Sequence, residues 1–103
     1  MHVISKEPFE VAYRKYGRDS YAIVSTYRSL KENNFKNPDE LKNLFPSLDK
    51  FKYREKWWVI DIGGNNLRLI VYINFINKRI YVKHIVTHSE YDKLNKYYRG
   101  NKE

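Results

Sequence analysis

The residues best suited to chemistry are concentrated near the C-terminus. Between His84 and Lys93 the sequence contains two histidines, a glutamate, a tyrosine and a lysine, and Arg68 and Lys83 can reach toward this stretch from neighbouring strands. Such side chains can deprotonate a ribose 2′-hydroxyl, stabilise charge on a phosphorus centre and protonate a departing 5′-oxygen. These are the three tasks of RNA cleavage without a metal, so the stretch is a candidate ribonucleolytic site.

The same stretch also has a purely structural interpretation. Thr87 and Glu90 have the spacing of a helix capping box, and Ser89 with Asp92 has it too. Capping alone would explain Thr87 and Glu90. For His88, at the start of the turn, we favour a catalytic or RNA-contacting role. For His84 we favour a hydrogen-bonded histidine in the core.

Metal chemistry has little support in the sequence. There is no cysteine, which excludes thiolate ligands, thiolate nucleophiles and disulfides. His84 and His88 are four residues apart, but that spacing pairs two ligands on a helix and these two straddle a strand end. No third ligand has a matching spacing, so we expect no metal.

The N-terminal half has the periodicity of helices. Ser5 is predicted to cap a first helix that ends at Gly17, and Asp19 to cap a second that carries Ile23 and Leu30. A short third helical turn is predicted from Asn37-Pro38 to Phe45-Pro46. These helices must lie against whatever the C-terminal half forms.

Beyond Pro46 the pattern changes to runs of β-formers separated by turn residues. The pattern predicts strands at 57–62, 67–74 and 79–86, with an edge strand at 2–4 or 51–53, and a helix at 89–98. Residues 63–66, Gly-Gly-Asn-Asn, are interpreted as a hairpin turn. A phosphate-binding loop is the alternative, but the lysine and following helix that it requires are missing. The predicted fold is α+β, with helices on one face of an antiparallel sheet of three to four strands.

Strand alternation predicts which residues remain on the open face. In the second strand Leu67, Leu69, Val71 and Ile73 form the apolar face. In the third, strict alternation places Ile80, Val82, His84 and Val86 inward and Arg79, Tyr81, Lys83, Ile85 and Thr87 outward. The predicted open face is basic and aromatic, a combination suited to single-stranded RNA. Trp57 and Trp58 are expected on opposite faces.

Charge and length agree with this interpretation. The chain has 103 residues with 20 Lys and Arg against 12 Asp and Glu, a formal charge of +8. We expect one domain over residues 1–103, and a polyanionic partner, with nucleic acid preferred to an anionic membrane. A merely soluble basic surface is the plain alternative. The N-terminus resembles no secretion signal and no run of about 18 apolar residues occurs, so we expect a cytoplasmic protein.

Two long motifs resemble the HigB toxin family, a branch of the RelE-like mRNA interferases. They are residues 62–70, Ile-Gly-Gly-Asn-Asn-Leu-Arg-Leu-Ile, and residues 81–93, which begin Tyr-Val-Lys-His. The similarity extends to Met1-His2-Val3-Ile4-Ser5 and to Phe45-Pro46-Ser47-Leu48-Asp49. Asp61 stands where members often have asparagine and Lys83 where arginine is common; lysine lacks the bidentate fork of arginine.

The resemblance implies two N-terminal helices packed on an antiparallel sheet. It implies ribosome-dependent cleavage of mRNA in the decoding site, without a metal or organic cofactor. The implied partners are a helix-turn-helix antitoxin, the ribosome with its mRNA, and operator DNA only through the antitoxin complex. The positions matching the family's active sites are Arg68, Lys83, His88, Glu90 and Tyr91. The candidate RNA-binding residues are Asn65, Tyr72, Arg79, Tyr81, Lys93 and Lys96. A non-catalytic basic module that binds nucleic acid or the antitoxin is the alternative.

Overall fold

The computed structural model describes residues 1–101 and confirms the predicted α+β class. The helices are α1 (Glu7–Lys15), α2 (Ser20–Glu32), α3 (Pro38–Leu44) and α4 (His88–Gly100), with a 3₁₀ turn at Gly17–Asp19. The strands are β1 (His2–Val3), β2 (Asp49–Lys50), β3 (Trp57–Ile62), β4 (Leu67–Asn74) and β5 (Arg79–Thr87). No helix within residues 1–101 is long and apolar enough to cross a membrane.

In the described part of the chain the sheet has five strands in the order β1-β5-β4-β3-β2, one more than the upper bound predicted. Adjacent strands from β2 to β5 are antiparallel, whereas β1 runs parallel to β5. Two parallel neighbours need a long connection between them. Here residues 4–78, which include helices α1 to α3, separate β1 from β5. The predicted edge strand at 51–53 does not form, because Phe51 turns into the core after the short strand β2.

The helix caps were predicted with mixed success. The helical turn predicted to open at Asn37-Pro38 is α3, and Asn37 caps it, since its side chain accepts a hydrogen bond from the Glu40 amide at 3.0 Å. Ser5 does not cap α1, which begins after Lys6 without a side-chain cap. Asp19 occupies the N-cap position of α2, but its carboxylate accepts from the Asn66 side chain at 3.0 Å instead of from the helix. Asp19 therefore ties the start of α2 to the β3–β4 hairpin.

The first core lies between the sheet and helices α1 and α2. The apolar face predicted for β4 is confirmed, because all four residues 67, 69, 71 and 73 are at most 2% exposed. Ile23 and Leu30 of α2 and Phe9 of α1 pack against this face. Burial of such apolar side chains is the main favourable contribution to folding.

The strict alternation predicted for β5 is wrong from residue 84 onward. Ile70 of β4 pairs with His84, but Val71 pairs with Val82, so Lys83 is an extra residue in a β-bulge. An extra residue moves every later side chain to the opposite face. His84 and Val86 consequently share the face of Ile70, away from the first core.

The opposite face of the sheet is not left open as predicted. Helix α4 covers its middle and forms a second core, in which Phe51, Val59 and Ile70 are at most 3% exposed. Leu94 and Tyr98 of α4 pack against it. Ile70 and Val59 form an apolar surface, and α4 packs on it because its own apolar face is buried there.

The two tryptophans lie on opposite faces, as predicted. Trp57 packs against the second core and Trp58 against the first, and both are half-buried. His84 is half-buried too, with Nε2 2.9 Å from the Tyr98 hydroxyl. Burial and the neighbouring Lys83 lower the pKa of His84 below its usual value. His84 is thus a hydrogen-bonded core histidine, but of the second core.

Residues 63–66 form the predicted hairpin turn, and its two glycines permit a test. Gly63 and Gly64 both have positive φ, at 64° and 71°, where a Cβ costs about 1–2 kcal/mol. A Cβ on Gly63 would also lie 2.4 Å from Asp19 Oδ1, whereas one on Gly64 would meet nothing within 4 Å. We expect Gly63→Ala to lower the melting temperature more than Gly64→Ala. Equal melting temperatures would show that the contact between Asp19 and the hairpin is dispensable.

Candidate active site

Arg68 is the centre of the candidate active site, which we define as Arg68, His88 and Tyr91. Its guanidinium lies 3.3 Å from Asp61 Oδ1 through one terminal nitrogen and 3.0 Å from His88 Nδ1 through the other. The guanidinium carbon lies 4.9 Å from the centre of the Tyr91 ring. The Arg68 side chain is only 19% exposed, so its charge acts in a partly desolvated place where electrostatic interactions are strong.

The strand register explains how these residues meet. Arg68 on β4 pairs with Asp61 on β3 and with Val86 on β5. One residue past Val86 the chain turns into α4 through a capping box in which the Thr87 hydroxyl accepts from the Glu90 amide. The first helical residue, His88, and Tyr91 one turn later therefore come to rest over Arg68.

The contact with Arg68 selects one tautomer of the His88 imidazole. A guanidinium can only donate hydrogen bonds, so Nδ1 of His88 is the acceptor and carries no proton. The proton of the neutral ring then sits on Nε2, which lies 4.0 Å from Asp92 Oδ2 on the same helix. The His88 side chain is 59% exposed, so an RNA strand can reach it.

Glu90 is placed differently from the other matched positions. Its carboxylate accepts from the Thr87 amide at 2.9 Å, from the Thr87 hydroxyl at 3.1 Å and from the Tyr16 hydroxyl at 3.3 Å. These contacts point it toward α1 instead of toward Arg68. The Thr87 amide is the largest influence, and with the Thr87 hydroxyl, the charge of Lys15 and the Tyr16 hydroxyl it outweighs burial and lowers the pKa of Glu90.

Lys83 is also apart from Arg68. Its ammonium lies 5.4 Å from the Trp57 ring, and Trp57 is four residues along β3 from Asp61, which is about 13 Å in a strand. The bulge that moves His84 to the second core leaves Lys83 exposed beside Trp57. The structure therefore gathers three of the five matched positions, Arg68, His88 and Tyr91, and separates the other two.

The candidate RNA-binding residues fall into separate groups. Tyr72 and Tyr81 are paired across β4 and β5, with ring centres 5.7 Å apart. Their row also includes Trp57, which pairs with Tyr72. The remaining candidates are exposed and scattered over the hairpin turn, the start of β5 and helix α4; they are Asn65, Arg79, Lys93 and Lys96.

Two residues that contact the candidate active site, Asp61 and Asp92, were not selected as site residues from the sequence, although the sequence contains a sign of each. Asp61 faces Arg68 because the four-residue turn 63–66 sets Ile62 opposite Leu67, so a hairpin register counted outward from the turn would have found it. Asp92 lies four residues after His88 on a helix, a spacing that pairs side chains. Within residues 1–101 no three His, Asp or Glu side chains are close enough together to hold a metal ion.

Comparison with known proteins identifies the class to which this fold and site belong. The profile of the HigB toxin, described as a RelE-like toxic component of a toxin-antitoxin system, matches residues 19–94. The chain belongs to this family.

Individual relatives agree with that assignment. An mRNA interferase HigB of Escherichia coli O6:H1 is 61% identical over 103 residues, the whole of both chains. An mRNA interferase toxin HigB of Escherichia coli K12 is 37% identical over 92 residues, which cover 89% of this chain and 88% of the relative. An mRNA interferase HigB of Shigella flexneri has the same identity and coverage.

The network around Glu90 predicts a pH-dependent contribution to stability. The folded pKa of Glu90 is lowered, so its contribution is present above the unfolded pKa and is lost as pH falls through the folded pKa. Glu90→Gln should therefore lower the melting temperature at pH 7, and the difference from wild type should shrink as the solution is acidified below about pH 4. A difference that stays constant from pH 7 to pH 3 would show that the carboxylate charge does not contribute.

Proposed function

We propose that this protein is a single-domain toxin that cuts mRNA in the decoding site of the ribosome by acid/base chemistry. The contact that carries the proposal is the 3.0 Å approach of the Arg68 guanidinium to His88 Nδ1. It places a fixed positive charge beside a titratable ring at an exposed helix start. The relatives named mRNA interferase support the same reaction.

The contacts suggest an order of events. A phosphate that enters the site is a better partner for Arg68 than the neutral imidazole is, because the guanidinium binds phosphate with charge-assisted hydrogen bonds. When Arg68 turns to the phosphate, Nδ1 of His88 is released as a proton acceptor. The imidazole then takes the proton of the ribose 2′-hydroxyl, and the 2′-oxygen forms a bond to phosphorus.

The remaining steps use the same residues. The phosphorus centre gains negative charge as the 2′-oxygen attacks, and Arg68 stabilises that charge. The bond from phosphorus to the 5′-oxygen breaks, and the 5′-oxygen leaves with a proton from the Tyr91 hydroxyl. The products are a 2′,3′-cyclic phosphate and a 5′-hydroxyl. Asp61 has a positioning role, since its 3.3 Å contact holds the guanidinium toward the site.

We assign a role to the ribosome because the candidate active site is open to solvent. His88 and Asp92 are 59% and 62% exposed, and so shallow a site cannot by itself hold a flexible RNA in the geometry for in-line attack. Positioning contributes a large part of catalysis, so the decoding site must supply it. The exposed cations Arg79, Lys93 and Lys96 and the tyrosine pair on β4 and β5 would contact RNA.

A toxin with this activity also has an implied partner and compartment. A toxic component of a toxin-antitoxin system requires an antitoxin, which we propose is a helix-turn-helix protein that binds operator DNA together with the toxin. Ribosomes and mRNA place the protein in the cytoplasm. A non-catalytic binding module is the alternative, but a binder has no need for Arg68, His88 and Tyr91 to converge at one point.

Expression of the wild-type protein with a reporter message tests the reaction. We expect cuts in a translated message and none in the same message whose start codon is destroyed, because only the translated message enters the decoding site. Primer extension maps the cuts, and the fragments should carry 2′,3′-cyclic phosphate ends. Equal cutting of both messages would indicate a free ribonuclease, and no cutting of either would favour the binding module.

The role of His88 is tested by His88→Ala with Ser89→Ala as the matched control. Both residues are exposed neighbours at the start of α4, and loss of a general base typically slows a reaction by about 10²- to 10⁴-fold. We expect His88→Ala alone to lose single-turnover cleavage on programmed ribosomes, while the melting temperatures of both variants stay close to wild type. Full activity of His88→Ala would show that the turn from Thr87 to Glu90 serves only as a helix cap.

A further inference from the structure

A second basic surface lies away from the candidate active site. Residues 50–58, which we call the 50–58 segment, connect β2 to β3 and line a cavity of about 520 Å³. The segment has the sequence Lys-Phe-Lys-Tyr-Arg-Glu-Lys-Trp-Trp, with four cationic side chains and one acidic one. None of these residues is among those assigned above to catalysis or to RNA binding.

The 50–58 segment is held to the fold and is not a loose loop. Phe51 is 3% exposed in the second core, and its amide donates to the Trp57 carbonyl at 2.9 Å. The Arg54 guanidinium donates to the carbonyls of Tyr53 at 2.6 Å and Tyr98 at 3.3 Å, and also to Asn101. The cationic side chains are therefore presented from an ordered backbone, which reduces the entropy lost on binding.

Over residues 1–101, none of the three lysines of this segment forms an ion pair with a carboxylate. Lys50, Lys52 and Lys56 are exposed, and among residues 1–101 the ion pairs with Asp or Glu involve only Arg68 and His88. Two of these ammonium groups lie near aromatic rings, with Lys50 5.9 Å from Trp58 and Lys52 5.6 Å from Tyr53. Uncompensated cations interleaved with aromatic rings match a ligand that combines phosphates with flat bases.

The segment lies at the opposite end of α4 from the candidate active site. His88 begins this 13-residue helix, and Tyr98 near its end contacts Trp57 with ring centres 5.3 Å apart. Ten residues of helix span about 15 Å. A nucleic acid held at the 50–58 segment could not at the same point touch His88, so the two surfaces contact different parts of an RNA or different RNAs.

We infer that the 50–58 segment is a second, non-catalytic RNA-binding site that grips a phosphodiester backbone through Lys50, Lys52 and Lys56. This inference rests on the proposed function, since the RNA available to a toxin that acts on translating ribosomes is ribosomal RNA or the message. Both sources offer the same chemistry. The site would raise the affinity of the toxin for its target without taking part in bond cleavage.

The test compares two triple variants that each lower the formal charge from +8 to +5. The first is Lys50→Gln, Lys52→Gln, Lys56→Gln, and the control is Arg14→Gln, Arg28→Gln, Lys31→Gln on α1 and α2. Binding to purified ribosomes without mRNA, and to a short single-stranded RNA, is measured from low to physiological salt. Each lost phosphate contact should reduce the log-log slope by about 0.7, so we expect a reduction of about 2 for the first variant and none for the control.

The pattern of losses identifies the source of the RNA. A weaker slope with empty ribosomes alone assigns the site to ribosomal RNA, and one with the short RNA alone assigns it to the message. The inference is overturned if both variants change the slope equally, which would show an effect of net charge, or if the first variant changes neither slope. A first variant that loses only binding to the antitoxin would also overturn it, in favour of a protein-docking surface.

Failure of the inference can be told apart from failure of the proposed function. Cleavage by the first variant in single-turnover reactions at saturating ribosome should match wild type, because Arg68, His88 and Tyr91 are untouched. Reduced cleavage under saturation with a normal melting curve would place these lysines in catalysis and overturn the inference. The binding slopes do not depend on cleavage, so they remain informative even if the wild-type protein cuts no message.

Discussion

One extra residue in β5 determines how the two faces of the sheet are used. Because Lys83 has no partner on β4, His84 and Val86 change faces and lie beside Ile70 instead of in the first core. Ile70 and Val86 then form the apolar surface on which α4 packs. Without the bulge, α4 would start on the wrong side of the sheet and His88 could not reach Arg68.

The charges at the two ends of α4 are used in different ways. At its start Arg68 is only 19% exposed and is surrounded by Asp61, His88 and Tyr91. The electrostatic effect of its charge is strong there because the guanidinium is partly desolvated. At its end Arg54 donates to the carbonyl of Tyr98, which lies in the last turn at the negative end of the helix dipole, and to that of Asn101 just beyond the helix. Arg68 thus belongs to the candidate active site, whereas Arg54 stabilises the C-terminal end of α4.

Glu90 shows why a matching residue type is not sufficient to assign a role. A carboxylate can act as a base, a cap or an ion-pair partner, and the sequence spacing permitted the first two. The three hydrogen bonds from Thr87 and Tyr16 stabilise its ionised form and turn it toward α1. Its effect on the candidate active site is therefore indirect, through the position of α4.

The sequence by itself determined the fold class, helices α1 to α4, strands β3 to β5, the hairpin turn and the apolar face of β4, because these depend on local periodicity and turn chemistry. It also brought Arg68, His88 and Tyr91 forward as candidates. Only the tertiary structure decided the faces of residues 84–87, the cover provided by α4 and the separation of Lys83 and Glu90 from Arg68. Those features depend on a bulge and on contacts between distant residues, such as Tyr16 with Glu90. Neither produces a periodic pattern of residue types in the sequence.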